Sequence, residues 1–479
     1  MNRKMIGRIL GLVLLIYAAL MLLPMAAGLC YGERVGGFAI SALVTAAAGF
    51  ALTRVRPGTT DIYAREGFIA VGLAWILMGL SGALPFVLNG DIPNYMDAVF
   101  ETVSGLTTTG ATILTDIEAM SRATLFWRSF NHWIGGMGVL VFIMAVLPMS
   151  GEHSMHIMRA EVPGPTVGKL VPRAKKTAMI LYIIYGVLTV AETGFLMLGG
   201  MSFYDALLHA FGTAGTGGFS TRAASIAAFD SLYIEMVIAV FLVLFGINFN
   251  LYYFILIGRV KEALKSQELH CYLGIIASFT LAIAIGISKM YGGLATALRH
   301  SFFNVASIIT TAGFGTEDFT GWPAYTQMLI VLLMFVGASA GSTGGGIKVS
   351  RIMLLIKSAM ADMEQIFRPR AVRRVEMDGR RVDTATARAV YVFFFVYMAV
   401  LLSVSLLVSF DGYDFTTSFS AALSCISNVG PGLSLVGPAG NYAIFSYLTK
   451  AVLTLTMLIG RLEIYPILIL FSRELWRRR

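Results

Sequence analysis

The chain has 479 residues, 57% of them hydrophobic and 13% charged, with a net charge of +9 and a mean hydropathy of +0.76. A soluble domain carries about 25% charged residues, and it could not cover this much apolar surface, so the chain reads as an integral membrane protein. The positive balance accompanies no aromatic-basic reader motif, which excludes nucleic acid as a partner. The three scattered cysteines, Cys30, Cys271 and Cys425, make neither a disulfide framework nor a metal cluster.

Apolar runs long enough to span a bilayer fall near residues 5–27, 35–53, 67–88, 124–149, 177–200, 231–257, 272–291, 325–357, 386–410 and 442–471. They predict about ten transmembrane helices. The first run follows a basic head but is long for a signal peptide, and it reads as an uncleaved helix. Basic residues gather in every second connection. Arg3, Lys4 and Arg8 precede the first run, and Arg54, Arg56 and Arg65 follow the second. Arg159, Lys169, Arg173, Lys175 and Lys176 follow the fourth, and Arg259, Lys261 and Lys265 the sixth. The 368–388 linker holds seven arginines, and the chain ends Arg477-Arg478-Arg479. The positive-inside rule places these loops and both termini in the cytoplasm. His153 and His156, in one of the basic loops, read as solvated.

Four outer connections carry a further apolar run too short to span: 97–107, 204–213, 297–310 and 415–427. Each leads into a glycine, in "LTTTGAT", "GTAGTGGFS", "ITTAGFGT" and "SNVGPGL". Aligned on Gly110, Gly217, Gly313 and Gly430, the intervals are 107, 96 and 117 residues. This is an internal repeat of helix, short helix, glycine turn, helix. Two full spans per unit make all four copies parallel, whereas inverted repeats need an odd number.

Non-helical backbone at membrane depth survives only where protein buries it or water lines it. Four parallel short helices around one axis satisfy that condition. Glycine permits positive φ, so successive carbonyls turn inward and replace the water shell of a monovalent cation. The helix C-termini aim partial negative charge at the same point. Asp97, Asp205 and Asp414 fall where N-caps belong, and they also concentrate cations at the mouth. The alternative is four ordinary glycine-rich turns, which leaves their shared register and shared side without a cause.

These motifs, with "FWRSFNHWIGGMG" at 126–138, "GASAGSTGGGIK" at 337–348 and "MLIGRLEIYP" at 457–466, resemble the potassium-translocating subunits of the bacterial Trk/Ktr superfamily over nearly the whole chain. Two helices ahead of the first repeat make it more similar to the Trk branch. The resemblance implies an all-α polytopic membrane protein. It has four membrane-pore-membrane repeats around one pseudo-fourfold, potassium-channel-like pore. Residues 1–65 form two leading helices, and 66–175, 176–270, 271–383 and 384–479 form the repeats.

It also implies a homodimer with one pore per protomer. Potassium is the transported ion, no cofactor is bound by this chain, and a cytosolic TrkA-like nucleotide-binding (RCK) ring is the partner. The location implied is the bacterial inner membrane. The filter glycines correspond to Gly110, Gly217, Gly313 and Gly430. The carbonyls come from Thr108 and Thr109, Gly215 and Thr216, Thr311 and Ala312, and Asn428 and Val429. His132 departs from the pattern, which favours a glutamine-like residue there.

Two features point to a gate. Residues 337–348 break a helix with Gly337, Gly341, Gly344, Gly345 and Gly346 before Lys348. The stretch resembles a phosphate-binding loop, but Ile347 displaces the lysine and no strand precedes it. In the superfamily it is an intramembrane loop; as residues alone, a moving gate and a packing kink both fit. Arg461 lies too deep in the last span to snorkel easily. It either points into the cavity below the filter, with Lys450 on the same helix face, or pairs with Glu192 or Glu235. Glu192 orients a short helix or faces another span. Asn248 and Asn250 read as interhelical hydrogen-bonders.

The functional reading is gated, selective uptake of potassium and rubidium. The alternative is a proton- or sodium-coupled symporter. No cluster of His, carboxylate and nucleophile supports an enzyme, and no nucleotide fold lies in the chain.

Overall fold

The computed structural model describes residues 2–55, 64–138, 174–368 and 375–471. His153, His156, the basic residues 159–173, three linker arginines (Arg370, Arg373 and Arg374) and the arginines at 477–479 lie outside the described residues.

The described residues are predominantly helical, and each expected span carries helix over much of its described length; residues 139–149 of the fourth lie outside the described residues, and 337–348 of the eighth are not helical. Six described helices are long and apolar enough to cross a bilayer. A seventh is counted if Leu232–Phe245 and Phe249–Leu256, bent by 87°, form one span. Two further helices are shorter. Arg122–Gly136 has 15 residues and buries Arg128, Asn131 and His132, and the rest of that expected span, 139–149, lies outside the described residues. Ala324–Val336 stops at Gly337, where φ is +71°, and helix resumes only at Val349. The fold is not purely helical. Glu376–Met377 and Arg380–Arg381 pair antiparallel around Asp378-Gly379, both at positive φ as a two-residue hairpin turn requires. Asp378 accepts from the Gln267 amide (2.7 Å), and Lys357 donates to the Glu376 carbonyl (2.9 Å), which docks this hairpin on the start of Gln267–Ile287 and the middle of Val349–Phe367.

The first two spans, Arg3–Cys30 and Gly36–Thr53, cross at Gly11 and Gly49. A Cβ on either would come closer than 3.0 Å to the other's carbonyl oxygen, so only glycine allows the approach. Tyr17 then donates to Asn131 (2.8 Å), joining this pair to the first repeat.

The short helices are Tyr95–Leu106, Phe203–Gly215, Leu294–Ile309 and Phe415–Ser427. Their later turns are buried throughout. Of the three aspartates expected as N-caps, only Asp414 is one. Asn94 and Ser202 cap the first two helices, and Asp97 and Asp205 stand three residues further on. An acidic residue in a first turn is favoured by the helix dipole without capping, so sequence position alone misleads here.

Candidate functional site

All four short helices end the same way. One residue takes the left-handed conformation: Thr108 (φ 53°), Thr216 (55°), Thr311 (61°) and Asn428 (57°). The next amide reaches back five residues, Thr109 to Ser104 (2.9 Å), Gly217 to Gly212 (2.8 Å), Ala312 to Ser307 (2.8 Å) and Val429 to Ser424 (2.9 Å). This is a Schellman-type cap, usually built on glycine. Placing three threonines and an asparagine there costs roughly 1–3 kcal/mol each, strain of the kind that clusters at functional sites.

The residue after each of those amides is a glycine at positive φ: Gly110 (79°), Gly218 (75°), Gly313 (76°) and Gly430 (100°). The second loop therefore corrects the expected register. Its turn glycine is Gly218; Gly217 precedes it, and Gly215 is still the last residue of its helix. The physical reason is the cap. The helix runs to Gly215, two residues past the apolar run 204–213, and the cap that follows sets the turn at the second glycine of "TGG". The intervals become 108, 95 and 117 residues.

These glycines close a ring. A Cβ on Gly110 would come closer than 3.0 Å to the carbonyl oxygen of Gly217. The same holds for Gly218 against Ala312, Gly313 against Val429, and Gly430 against Thr109. Each loop thus backs onto the carbonyl of the next, in cyclic order. Gly110, Gly218, Gly313 and Gly430 line one outer cavity together with Arg128 and Tyr442.

The 337–348 segment packs on the C-terminal ends of the third and fourth short helices. The Gly345 amide donates to Thr311 Oγ1 (2.6 Å), and the Gly346 amide to the Ser427 carbonyl (2.9 Å). Side chains at Gly344 and Gly345 would collide with the carbonyls of Thr310 and Ser427. Glu268 Oε1 accepts from Ala340 (2.7 Å) and Ser350 (3.2 Å), fastening both ends of the segment. Lys348, buried, folds its ammonium onto the Gly344 carbonyl. Gly337, Gly341 and Gly346 supply the left-handed turns.

Arg461 comes from the opposite side. It donates to the carbonyl of Thr343 in this segment (2.7 Å) and to those of Gly136 (3.0 Å) and Gly135 at the end of the first repeat's second long helix. It lines the inner cavity with Gly136, Gly344, Gly345 and Gly346. Glu235, one expected partner, is instead paired with Arg299 through two contacts of 2.7 Å. Glu192 is fully buried beside Thr213 of the second short helix. Glu463 pairs with Arg351.

The family model for TrkH, described as "Cation transport protein", matches residues 34–287 and 275–478. The potassium uptake protein TrkH of Salmonella typhimurium is 37% identical over 487 residues, covering 100% of both chains. TrkG of Escherichia coli is 34% identical over 484 residues, covering 99% of each. The crystal structure of the potassium transporter TrkH from Vibrio parahaemolyticus superposes with a TM-score of 0.89 at 34% identity, covering 100% of both chains. The chain belongs to the TrkH family. It is a multi-pass membrane protein of a transporter family, not an enzyme.

Within this TrkH-type chain, two further expectations are corrected. Lys450 does not serve as a pore-facing charge: its ammonium is paired with Asp97 at 2.7 Å, joining the fourth repeat to the start of the first short helix. Asn248 bonds no neighbouring helix among the described residues but caps Phe249–Leu256 by accepting from the Asn250 amide (3.0 Å). His132 holds the first short helix to the second loop. Its Nδ1 bonds the Gly105 carbonyl (2.8 Å), and its Nε2 accepts from the Phe219 amide (3.2 Å).

Sequence reasoning missed Glu101 and Arg128, a buried pair at 2.6 Å whose arginine lines the cavity that the four glycines share. The signal was available: a carboxylate inside a short apolar helix is functional by default.

Proposed function

We propose that this protein is a selective, gated pore for potassium and rubidium in the bacterial inner membrane, with both termini cytoplasmic. The observation that carries the reading is the ring itself, four left-handed glycines each seated on the neighbouring loop's carbonyl. Stacked carbonyl rings replace the hydration shell of a monovalent cation. The filter consists of Thr108, Thr109 and Gly110; Thr216, Gly217 and Gly218; Thr311, Ala312 and Gly313; and Asn428, Val429 and Gly430. Each set belongs to one of four membrane-pore-membrane repeats. The relatives' names, potassium uptake proteins of the Trk system, agree with this cargo.

The 337–348 segment and Arg461 form the gate. The segment lies against the inner ends of two short helices, and Arg461 clamps it to the first repeat. A guanidinium there raises the barrier to cations by repulsion. A cytosolic TrkA-like nucleotide-binding ring controls the gate, docking on the basic cytoplasmic surface that includes the 368–381 linker, and the transporter is a homodimer.

Ion flux into liposomes holding this chain alone tests the reading. Potassium and rubidium fluxes should exceed sodium flux, and Gly313→Ser should remove the preference. Equal potassium and sodium fluxes in the unmodified protein would sink it. Flux that requires a proton or sodium gradient would establish the symporter instead.

A further inference from the structure

We propose that Glu101 and Arg128 are positioning residues for ion selectivity: one buried ion pair that stiffens the seam between the first and second filter loops. The inference rests on the filter reading above and deepens it.

The pair joins Tyr95–Leu106 to Arg122–Gly136, and its side chains are 0% and 2% exposed. A buried ion pair is poor evidence for stability, because apolar residues of similar volume often serve as well. Its contacts supply the reason for it. Glu101 accepts from Thr112 Oγ1 (2.9 and 3.1 Å) and from the Ile113 amide (3.0 Å), two and three residues beyond Gly110. Arg128 donates to the Ser220 carbonyl (3.0 Å), two residues beyond Gly218, and its guanidinium lies 3.5 Å from the centre of the Phe219 ring. One planar unit therefore holds the outer limbs of two adjacent loops. Between those limbs, Gly110 sits on the carbonyl of Gly217.

The corrected register shows how unevenly this bracing is distributed. Nine residues before the turn glycines stand Glu101, His209, Asn304 and Ala421. His209 repeats the role without a carboxylate, its Nε2 bonding Ser220 Oγ at 2.8 Å. Two other seams are joined loop to loop by backbone contacts: the Ile226 amide to the Gly315 carbonyl (3.1 Å), and the Tyr442 amide to the Thr112 carbonyl (2.8 Å). The pairs Glu235–Arg299 and Lys450–Asp97 also join neighbouring units, but they tie helix to helix; of these three seams, the first is the one whose loop limbs are held by a charged pair.

Sodium is the smaller ion, and a loop free to close inward accommodates it. Loosening the first seam therefore admits sodium while potassium still passes. Misfolding lowers both fluxes and leaves their ratio alone.

Thr112→Val, Thr112→Ser and Arg128→Lys, measured as potassium and sodium flux into liposomes, test this. Lysine keeps the charge but lacks the fork that reaches Glu101 and Ser220 together. Thr112→Val and Arg128→Lys should each lower the potassium-to-sodium ratio about fivefold, the scale of one lost hydrogen bond, by raising sodium flux. Thr112→Ser should restore the ratio. Arg299→Met with Glu235→Gln removes another interhelical pair that touches no filter loop, and its ratio should stay at the unmodified value. A wild-type ratio in Thr112→Val overturns the inference, as does an equal fall in the Arg299 control. Thr112→Val decides the matter if Arg128→Lys fails to fold. An unmodified protein with no preference for potassium would instead remove the filter reading itself.

Discussion

The glycine ring and the 337–348 segment beneath it, the two halves of the proposed pore, are built on opposite plans. At the ring, four loops of different sequence adopt one backbone conformation, down to the same left-handed residue and the same five-residue reach. Beneath it, one stretch of chain contributes the glycine-rich 337–348 segment and another an arginine, and even the broken helix of Leu232–Phe245 and Phe249–Leu256 only lends that segment its backbone groups. Recognising a spherical ion calls for equivalent ligands from every side. Opening and closing a passage calls for one part that differs from the rest. The contrast is not total. The carbonyl of Gly430 is taken up by Ser424 (2.7 Å) and Tyr442 (2.8 Å), so the outermost position already departs from fourfold order.

Substitutions can break that contrast on either side. The largest effect should come from Gly218→Ala, where the left-handed backbone resists a side chain and the new Cβ would strike the Ala312 carbonyl. Potassium flux into liposomes should fall more than about tenfold, the scale of placing a non-glycine residue in strained backbone against fixed atoms. Arg461→Ala should act in the other direction. It should raise potassium flux several-fold while leaving the potassium-to-sodium ratio unchanged, since it touches the lower clamp and not the ring. A fall in folded protein with unchanged flux would make Arg461 a structural clamp only.

His132 sharpens the comparison from within the ring. Glutamine can both donate to Gly105 and accept from Phe219, so His132→Gln should keep folding and flux. His132→Ala strands the buried Phe219 amide and should cost about 1–3 kcal/mol, read as a lowered thermal midpoint in detergent. The smallest effect is expected at the periphery. Asp414→Ala removes one N-cap and should cost about 1 kcal/mol. Hydrogen bonds from Thr417 hold the Asp414 carboxyl below its ordinary value of 3.8. Its contribution to stability is therefore present above that value and lost as pH falls through the lowered one. Thermal midpoints of the Asp414→Ala and unmodified proteins should converge in strong acid.

Much of this was legible in advance because hydropathy and glycine placement are written locally. The repeats, the short helices and the broken third helix could each be read from runs of residues. The register of the second loop could not. "TGG" offers two glycines, and the choice depends on where a helix cap falls against His132 and the neighbouring repeat. The roles of Lys450 and Arg128 were hidden for the same reason. Their partners, Asp97 and Ser220, lie 353 and 92 residues away in the chain. Helix periodicity gave Lys450 and Arg461 one face, but a face says nothing about which distant element covers it.

The 87° break after Phe245 has a further consequence. The carbonyl of Gly246 receives the amide of Ser339 (3.1 Å), and the amide of Phe249 reaches the carbonyl of Gly341 (3.0 Å). In an unbroken helix the Gly246 oxygen would turn along the axis toward Asn250, whose amide is now occupied by Asn248. The glycine-rich segment therefore borrows the polar groups that the broken helix leaves over. Straightening that helix and releasing the segment are two halves of one exchange of hydrogen bonds. A ligand that favours either half shifts both together.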